Sequence, residues 1–319
     1  MAIGMVGAGA ILGGMLLGSF GLRALSARFA RQAEAACPPE GRFLDIAGRR
    51  VHYREEGDGP DLLMIHGLTG NGRNLTYALA PALRAHFRVI TLDRPGAGYS
   101  DPVPDAETSL HGQAALVARF IEAKGLQRPL VLGHSLGGAV ALALAIDHPR
   151  HVRGLVLVSA LTHPQHLPPP VFLSLAVRPA FLRRWVAECL AVPLGMLGRR
   201  HVLRQVFAPD PVPEDFALRG GGLLAMRPES FYAASCELQR INGDLRGMVA
   251  HYPRLTLPIG LIHGDRDPIL ALRGHGEAMA KRVPGLLFEC VEGRGHMLPV
   301  NAVDRIVSLT RQVDSLAKS

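Results

Sequence analysis

From Arg42 onward the apolar positions come in short unbroken runs, not in the strict alternation of a half-wet sheet. Leu62–Ile65, Val89–Leu92, Leu130–Leu132 and Leu155–Val158 each end in a loop signal. Such runs predict strands buried on both faces of a parallel sheet. Two earlier runs, Arg42–Ile46 and Arg50–Glu55, flank Ala47-Gly48 and predict a hairpin. Helical stretches lie between the runs. Ser109–Lys124 is stopped by Gly125. Ser135–His148 carries a segment, Ala139–Ile146, that is apolar all round and so belongs inside a protein. The alternation breaks near Thr162. Strand signals resume only at Ile259–Ile262 and Leu286–Val291, followed by a last helix with Val303, Ile306, Val307 and Val313 on one face.

The pattern predicts an α/β core, residues 42–161 and 251–319, with a mostly parallel central sheet between flanking helices. A helical insertion over 162–250 interrupts it. That insertion far exceeds ordinary loops of about 4–6 residues, and reads as a lid.

The N-terminus reads as a separate piece. Residues 1–22 hold no charged side chain and, as a helix, would reach roughly 33 Å, about one bilayer core. The first charges, Arg23, Arg28 and Arg31, follow the apolar run, whereas a secretory signal carries its charges before it. The expectation is a single transmembrane anchor over 1–22 with a linker over 23–41. The arginines would leave the main domain on the cytoplasmic side. The competing reading is a Gly-rich, weakly apolar tail.

Composition narrows the classes. With 48% hydrophobic residues in 319, the chain is no disordered polymer. The net charge of +8 is nearly all arginine, but no run of five like charges occurs and aromatics are 5%. No nucleic-acid partner is expected. Cys37, Cys189, Cys236 and Cys290 form no C-x-x-C pair and no Cys/His ligand spacing, so neither a metal nor a cofactor is expected.

The sharpest chemical signal is Gly133-His134-Ser135-Leu136-Gly137, between an apolar strand and a buried helix. A tight turn there would hold the Ser135 hydroxyl off the sheet at a helix N-terminus. A side chain at Gly133 or Gly137 would collide with its neighbours. A serine hydroxyl needs a base. Of fourteen histidines the best placed is His296, in the Gly-flanked loop after the last strand; His134 reads as structural, and His163, His263 and His275 are weaker candidates. The base needs an acid. His263-Gly264-Asp265-Arg266-Asp267-Pro268 offers two, of which Asp267 is the choice and Asp265 the turn cap. Two donors must meet the developing oxyanion. One is the backbone N–H of Leu136; the other is that of Leu68, in the loop His66-Gly67-Leu68-Thr69-Gly70.

With these segments and Asp93-Arg94-Pro95-Gly96-Ala97-Gly98-Tyr99-Ser100, the chain resembles the α/β-hydrolase superfamily over roughly 42–316. The resemblance implies a triad of Ser135, Asp267 and His296, an oxyanion hole from Leu68 and Leu136, and a helical cap near 162–250. It assigns the Asp93–Ser100 loop to structure. Dehalogenases and epoxide hydrolases of the superfamily carry an aspartate at the elbow, so Ser135 points to cleavage of a carboxylic ester. Carbon–carbon bond hydrolases and cofactor-free peroxidases share the pattern, though Met297 stands where ring-cleavage enzymes often have Trp. A non-catalytic binding module is the non-enzyme alternative. In the cap, Phe172, Leu173, Leu175, Phe181, Trp185, Leu194 and Leu197 read either as core or as an apolar acyl pocket. Arg183, Arg184, Arg199, Arg200 and Arg204 read either as a solvated face or as a surface for anionic lipid headgroups, which would suit a lipid-like substrate.

Overall fold

The computed structural model describes residues 2–318, with side chains from Leu17 to Lys318. Its framework is one eight-stranded sheet. The strands are β1 (Arg42–Ile46), β2 (Arg49–Glu56), β3 (Asp61–Ile65), β4 (Arg88–Leu92), β5 (Leu130–His134), β6 (Gly154–Val158), β7 (Ile259–Gly264) and β8 (Leu287–Val291). Their order is β1-β2-β4-β3-β5-β6-β7-β8. The hairpin β1–β2 and the β2–β4 pair are antiparallel, and every other pair is parallel.

The unbroken apolar runs follow from burial on both sheet faces. Leu63, Ile65, Val131, Leu155 and Leu157 pack on one side, against the helices Leu110–Lys124 and Leu136–Asp147. Leu62, Met64, Leu130, Leu132, Val156 and Val158 pack on the other, against Leu309 and Val313 of the last helix, Val303–Leu316. Successive residues of a strand point to opposite faces, so both must be apolar. The helix Leu110–Lys124 ends as its sequence predicts. Ser109 Oγ accepts the Gly112 N–H at 3.0 Å, and Gly125 takes the left-handed conformation at φ 73°.

The topology locates the site. From β3 the chain moves outward to β4, then returns across β3 to β5 on the other side. At such a reversal the loops leaving adjacent strands diverge and open a crevice beyond their C-terminal ends. The loops after β3 and β5 carry Leu68 and Ser135. Residues 162–250 contain helices and turns and no strand. The longest helix there, Pro228–Met248, lies above those loops and is called the cap helix below.

The N-terminal expectation is corrected. Among the described residues, no helix is long and apolar enough to cross a membrane. The single-pass anchor over 1–22, and with it a cytoplasmic placement of the rest, does not stand; its residues 1–16 lie outside those with described side chains. One helix runs Ala2–Ala36, so residues 23–36, expected as linker, are helical. From Ser19 onward it is tied to the insertion. Trp185 Nε1 donates to Ser19 Oγ at 3.2 Å, Arg23 pairs with Glu188, and Arg227 pairs with Glu34 at 2.9 Å. The absence of charge before Arg23 leaves those protein partners out of view.

Candidate active site

Ser135 joins β5 to the helix Leu136–Asp147 with φ 55° and ψ −120°, a conformation uncommon for a residue with a Cβ. Its neighbours hold it there. The Ser135 N–H donates to the Val158 carbonyl at 3.0 Å, and the Ser135 carbonyl accepts the N–H groups of Gly138 and Leu161, each at 3.0 Å. The flanking glycines are required by close backbone approach. A Cβ on Gly133 would overlap the Gly137 carbonyl, and one on Gly137 would overlap that of Ile65. The strain thus concentrates at the residue whose side chain must stand clear of the sheet.

Asp267, beyond the end of β7, is buried, while Asp265 is exposed. Asp267 Oδ1 accepts the N–H groups of Ile269 at 2.8 Å and Leu270 at 2.9 Å. Asp267 Oδ2 lies 2.8 Å from His296 Nδ1 and 3.4 Å from His263 Nε2. Burial opposes ionisation of this carboxyl. The charge of His296 and the hydrogen bonds from His263 and His296 outweigh it and hold the group well below the usual carboxylate range. A carboxylate at Nδ1 keeps the proton on that nitrogen, leaving Nε2 as the acceptor. Of the two aspartates in that loop, Asp267 is the one in contact with His296. No hydrogen bond joins Ser135 Oγ to the His296 ring among the described residues.

Two further histidines, read from sequence as structural (His134) and as a weaker base candidate (His263), support this pair. His134 Nε2 donates to the His296 carbonyl at 3.1 Å, and the two rings lie 4.9 Å apart. Burial, with repulsion from His296, lowers the His134 pKa to about 3, so it stays neutral. His263 Nε2 donates to the Leu270 carbonyl at 2.8 Å, bracing the loop that carries Asp267. No spacing in the sequence marks the His134 contact, which depends on the end of β5 meeting the His296 loop, whereas the His263 contact lies within the segment from His263 to Leu270.

The loop after β3 lies against the elbow. A Cβ on Gly67 would come 2.9 Å from Ser135 Cβ and 3.4 Å from Ser135 Oγ. Leu68, Ser135 and Leu136 line one cavity with Leu161, Ile269 and Leu270, roofed by Phe172, Leu238 and Ile241 from the insertion. The cavity holds about 60 Å³. Gln165 and Asn242 also line it; Asn242 Oδ1 accepts the Gln165 backbone N–H at 2.9 Å and Asn242 Nδ2 donates to the Gln165 carbonyl at 2.7 Å, while Gln165 Nε2 donates to His275 Nε2 at 3.0 Å. Of the apolar residues expected in the insertion, Phe172 alone lines this cavity, Leu175 is core, and Leu173, Phe181, Trp185, Leu194 and Leu197 are exposed. Arg183 is buried, donating to Asp105 and to Cys236 Sγ, and so leaves the arginine face expected from sequence. Among the described residues, no group of three His, Cys, Asp or Glu is placed to hold a metal ion.

Over 118 residues the chain is 42% identical to the dihydrolipoyllysine-residue acetyltransferase component of the acetoin cleaving system of Cupriavidus necator, a match covering 37% of this chain and 31% of that protein. Over 125 residues it is 33% identical to haloalkane dehalogenase 2 of Mycobacterium tuberculosis, covering 38% and 42%. The chain thus spans less than half the length of either relative. In its fold it is similar to a thermophilic esterase from Thermogutta terrifontis, with a TM-score of 0.68 at 22% identity, covering 88% of this chain and all of that one. The sequence model described as alpha/beta hydrolase fold matches residues 60–302, a stretch that includes the elbow and the loops of Asp267 and His296. By that match and by its sheet order, the chain belongs to the α/β-hydrolase family.

Proposed function

We propose that the protein is a serine hydrolase that cleaves carboxylic esters with an apolar acyl group. The observation that carries this reading is the buried 2.8 Å contact between Asp267 and His296, set beside a positive-φ serine that opens into an apolar cavity. In this reading His296 Nε2 takes the Ser135 proton as Oγ attacks the ester carbonyl carbon. The carbonyl oxygen gains the displaced electron pair, and the N–H groups of Leu136 and Leu68 hold the charge. The bond to the alcohol oxygen then breaks. His296 gives its proton to that oxygen, leaving an acyl group on Ser135. A water molecule repeats the sequence: His296 accepts its proton, the hydroxide oxygen attacks, and Ser135 leaves with the proton. The Asp267 carboxylate stabilises the imidazolium in both halves.

The residue at the elbow supports acyl transfer over halide displacement, since the dehalogenases of this family carry an aspartate there. The apolar lining supports a hydrocarbon acyl group. At about 60 Å³ the cavity is far smaller than the roughly 300–1,000 Å³ of ligand sites. Phe172, Leu238 and Ile241 must therefore shift to admit a substrate.

A fluorophosphonate probe and a panel of p-nitrophenyl esters from acetate to octanoate test the reading. The wild type should be labelled and should turn over esters, and Ser135→Ala should do neither. Labelling that persists in Ser135→Ala, or a wild type inert to both, defeats it. Turnover confined to vinylogous diketones would reassign the same site to carbon–carbon cleavage.

A further inference from the structure

Arg94 sits two residues beyond β4, in the loop that the family resemblance assigns to structure. Its side chain is 2% exposed, and its donors reach three parts of the fold. Nε donates to the His66 carbonyl at 2.9 Å and Nη2 to the Gly67 carbonyl at 2.8 Å. Nη1 donates to Gln113 Oε1 at 2.7 Å and to Glu237 Oε1 at 2.5 Å. The backbone N–H of Arg94 donates to His66 Nε2 at 2.9 Å. That nitrogen therefore carries a lone pair, and the His66 proton lies on Nδ1, which donates to the Gly67 carbonyl at 2.9 Å. Gly70 N–H reaches the same oxygen at 3.2 Å. The Gly67 carbonyl thus collects three donors, one of them cationic.

That carbonyl shares a peptide plane with the N–H of Leu68. In a trans peptide the two groups point in opposite directions. Anchoring the oxygen on the guanidinium turns the N–H away from Arg94, and Leu68 borders the cavity that Ser135 enters. The other end of the guanidinium is held by Glu237 of the cap helix, a residue 4% exposed. Within the next turn, Leu238 and Ile241 form the cavity roof. One stretch of helix therefore presents both the wall that must move for substrate and the counter-ion of Arg94.

We propose that Arg94 is the positioning residue of the oxyanion hole, and that Glu237 couples its placement to the seating of the cap. Lifting the cap helix draws the carboxylate from the guanidinium and loosens the Gly67–Leu68 peptide; closure restores both. The second oxyanion donor is then fully aimed only over a closed site. This rests on the ester-hydrolase reading and specifies what controls that donor.

The test uses the full chain. Arg94→Lys keeps the charge but offers a point-like ammonium in place of a planar fork, which cannot serve two carbonyls and a carboxylate together. A buried charge left alone can unfold a protein, so Arg94→Met with Glu237→Leu, which removes both charges, is the companion variant. On p-nitrophenyl butyrate each should lose about 10–100-fold in kcat with KM within about threefold, somewhat less than the roughly 10²–10³ of deleting an oxyanion donor outright. Amide hydrogen exchange across residues 66–70 should rise in both variants while β5 stays protected. A cooperatively melting variant that keeps wild-type kcat, or changes KM alone, overturns the proposal, as does unchanged exchange at 66–70. Failure of the hydrolase reading looks different: the wild type is then inert and unlabelled, and the exchange result alone decides whether Arg94 anchors the peptide.

Discussion

The two walls of the cavity are built differently. The core wall (Leu68, Ser135, Leu136, Leu161, Ile269 and Leu270) hangs from the ends of β3, β5, β6 and β7, strands locked in register by parallel ladders. The insertion wall, with Phe172, Leu238 and Ile241, hangs from helices and turns whose hydrogen bonds to the core, such as Asn71 to Gly221 and Arg94 to Glu237, involve side chains. Glycines report the same contrast. At Gly137 a methyl group would overlap the Ile65 carbonyl, while at Gly198, inside the insertion helix Val192–Phe207, it would meet nothing within 4 Å. Acyl transfer needs reacting atoms held within fractions of an ångström, and backbone packed on backbone supplies that. Admitting substrates needs slack, which contacts between side chains allow.

If this division holds, substitutions in the core wall act on chemistry and stability, and those in the insertion act on selection. The largest effect is expected at the nucleophile: Ser135→Ala should cut kcat by about 10⁶-fold and Asp267→Asn by about 10⁴-fold, measured on one ester. An insertion-wall substitution with a loss of that size would erase the contrast. Acid should strike the core next. Burial lowers the pKa values of His66, His134 and His275 to about 3 in the folded protein, against about 6.5 when unfolded. The unfolded chain therefore binds more protons below pH 6.5. Stability falls as pH drops from there toward 3, by up to about 1.4 kcal/mol per pH unit for each histidine. Urea midpoints at pH 7 and 5 measure this, and equal midpoints would refute it.

Glycine replacements come third. Gly137→Ala should destabilise by about 2–3 kcal/mol, since only backbone can yield. Gly198→Ala should stabilise by about 0.5–1 kcal/mol, as expected where a helix interior has room. Similar shifts of the urea midpoint at both sites would contradict the packing difference. The smallest effect is at the roof: Ile241→Ala should raise kcat/KM for octanoate relative to acetate by about tenfold, with acetate turnover little changed. An unchanged chain-length profile would mean the roof does not select.

Legibility in the sequence followed the same division. The strands of the core were readable because burial on both faces demands unbroken apolar runs, and the elbow because its glycines flank a serine between an apolar strand and a buried helix. The Asp267 and His296 loops were readable because each follows a strand end. The insertion was readable only as helical. Its large apolar residues are split between cavity, core and surface, and nothing in their spacing separates Phe172 from the exposed Phe181. The N-terminal apolar run misled for a related reason: nothing in its hydropathy shows that the helix, from Ser19 onward, bonds to Trp185 and Glu188 of the insertion.

Residue order by itself determined the core sheet, the position of the strained serine, and the loops that bring an imidazole and a carboxylate to one sheet edge. These depend on local rules of burial and backbone space, which short segments encode. The tertiary structure alone decided that His134 braces the His296 loop, and that Arg94 meets Glu237 across 143 residues. Such contacts arise where separate elements pack together, and no short segment contains both partners.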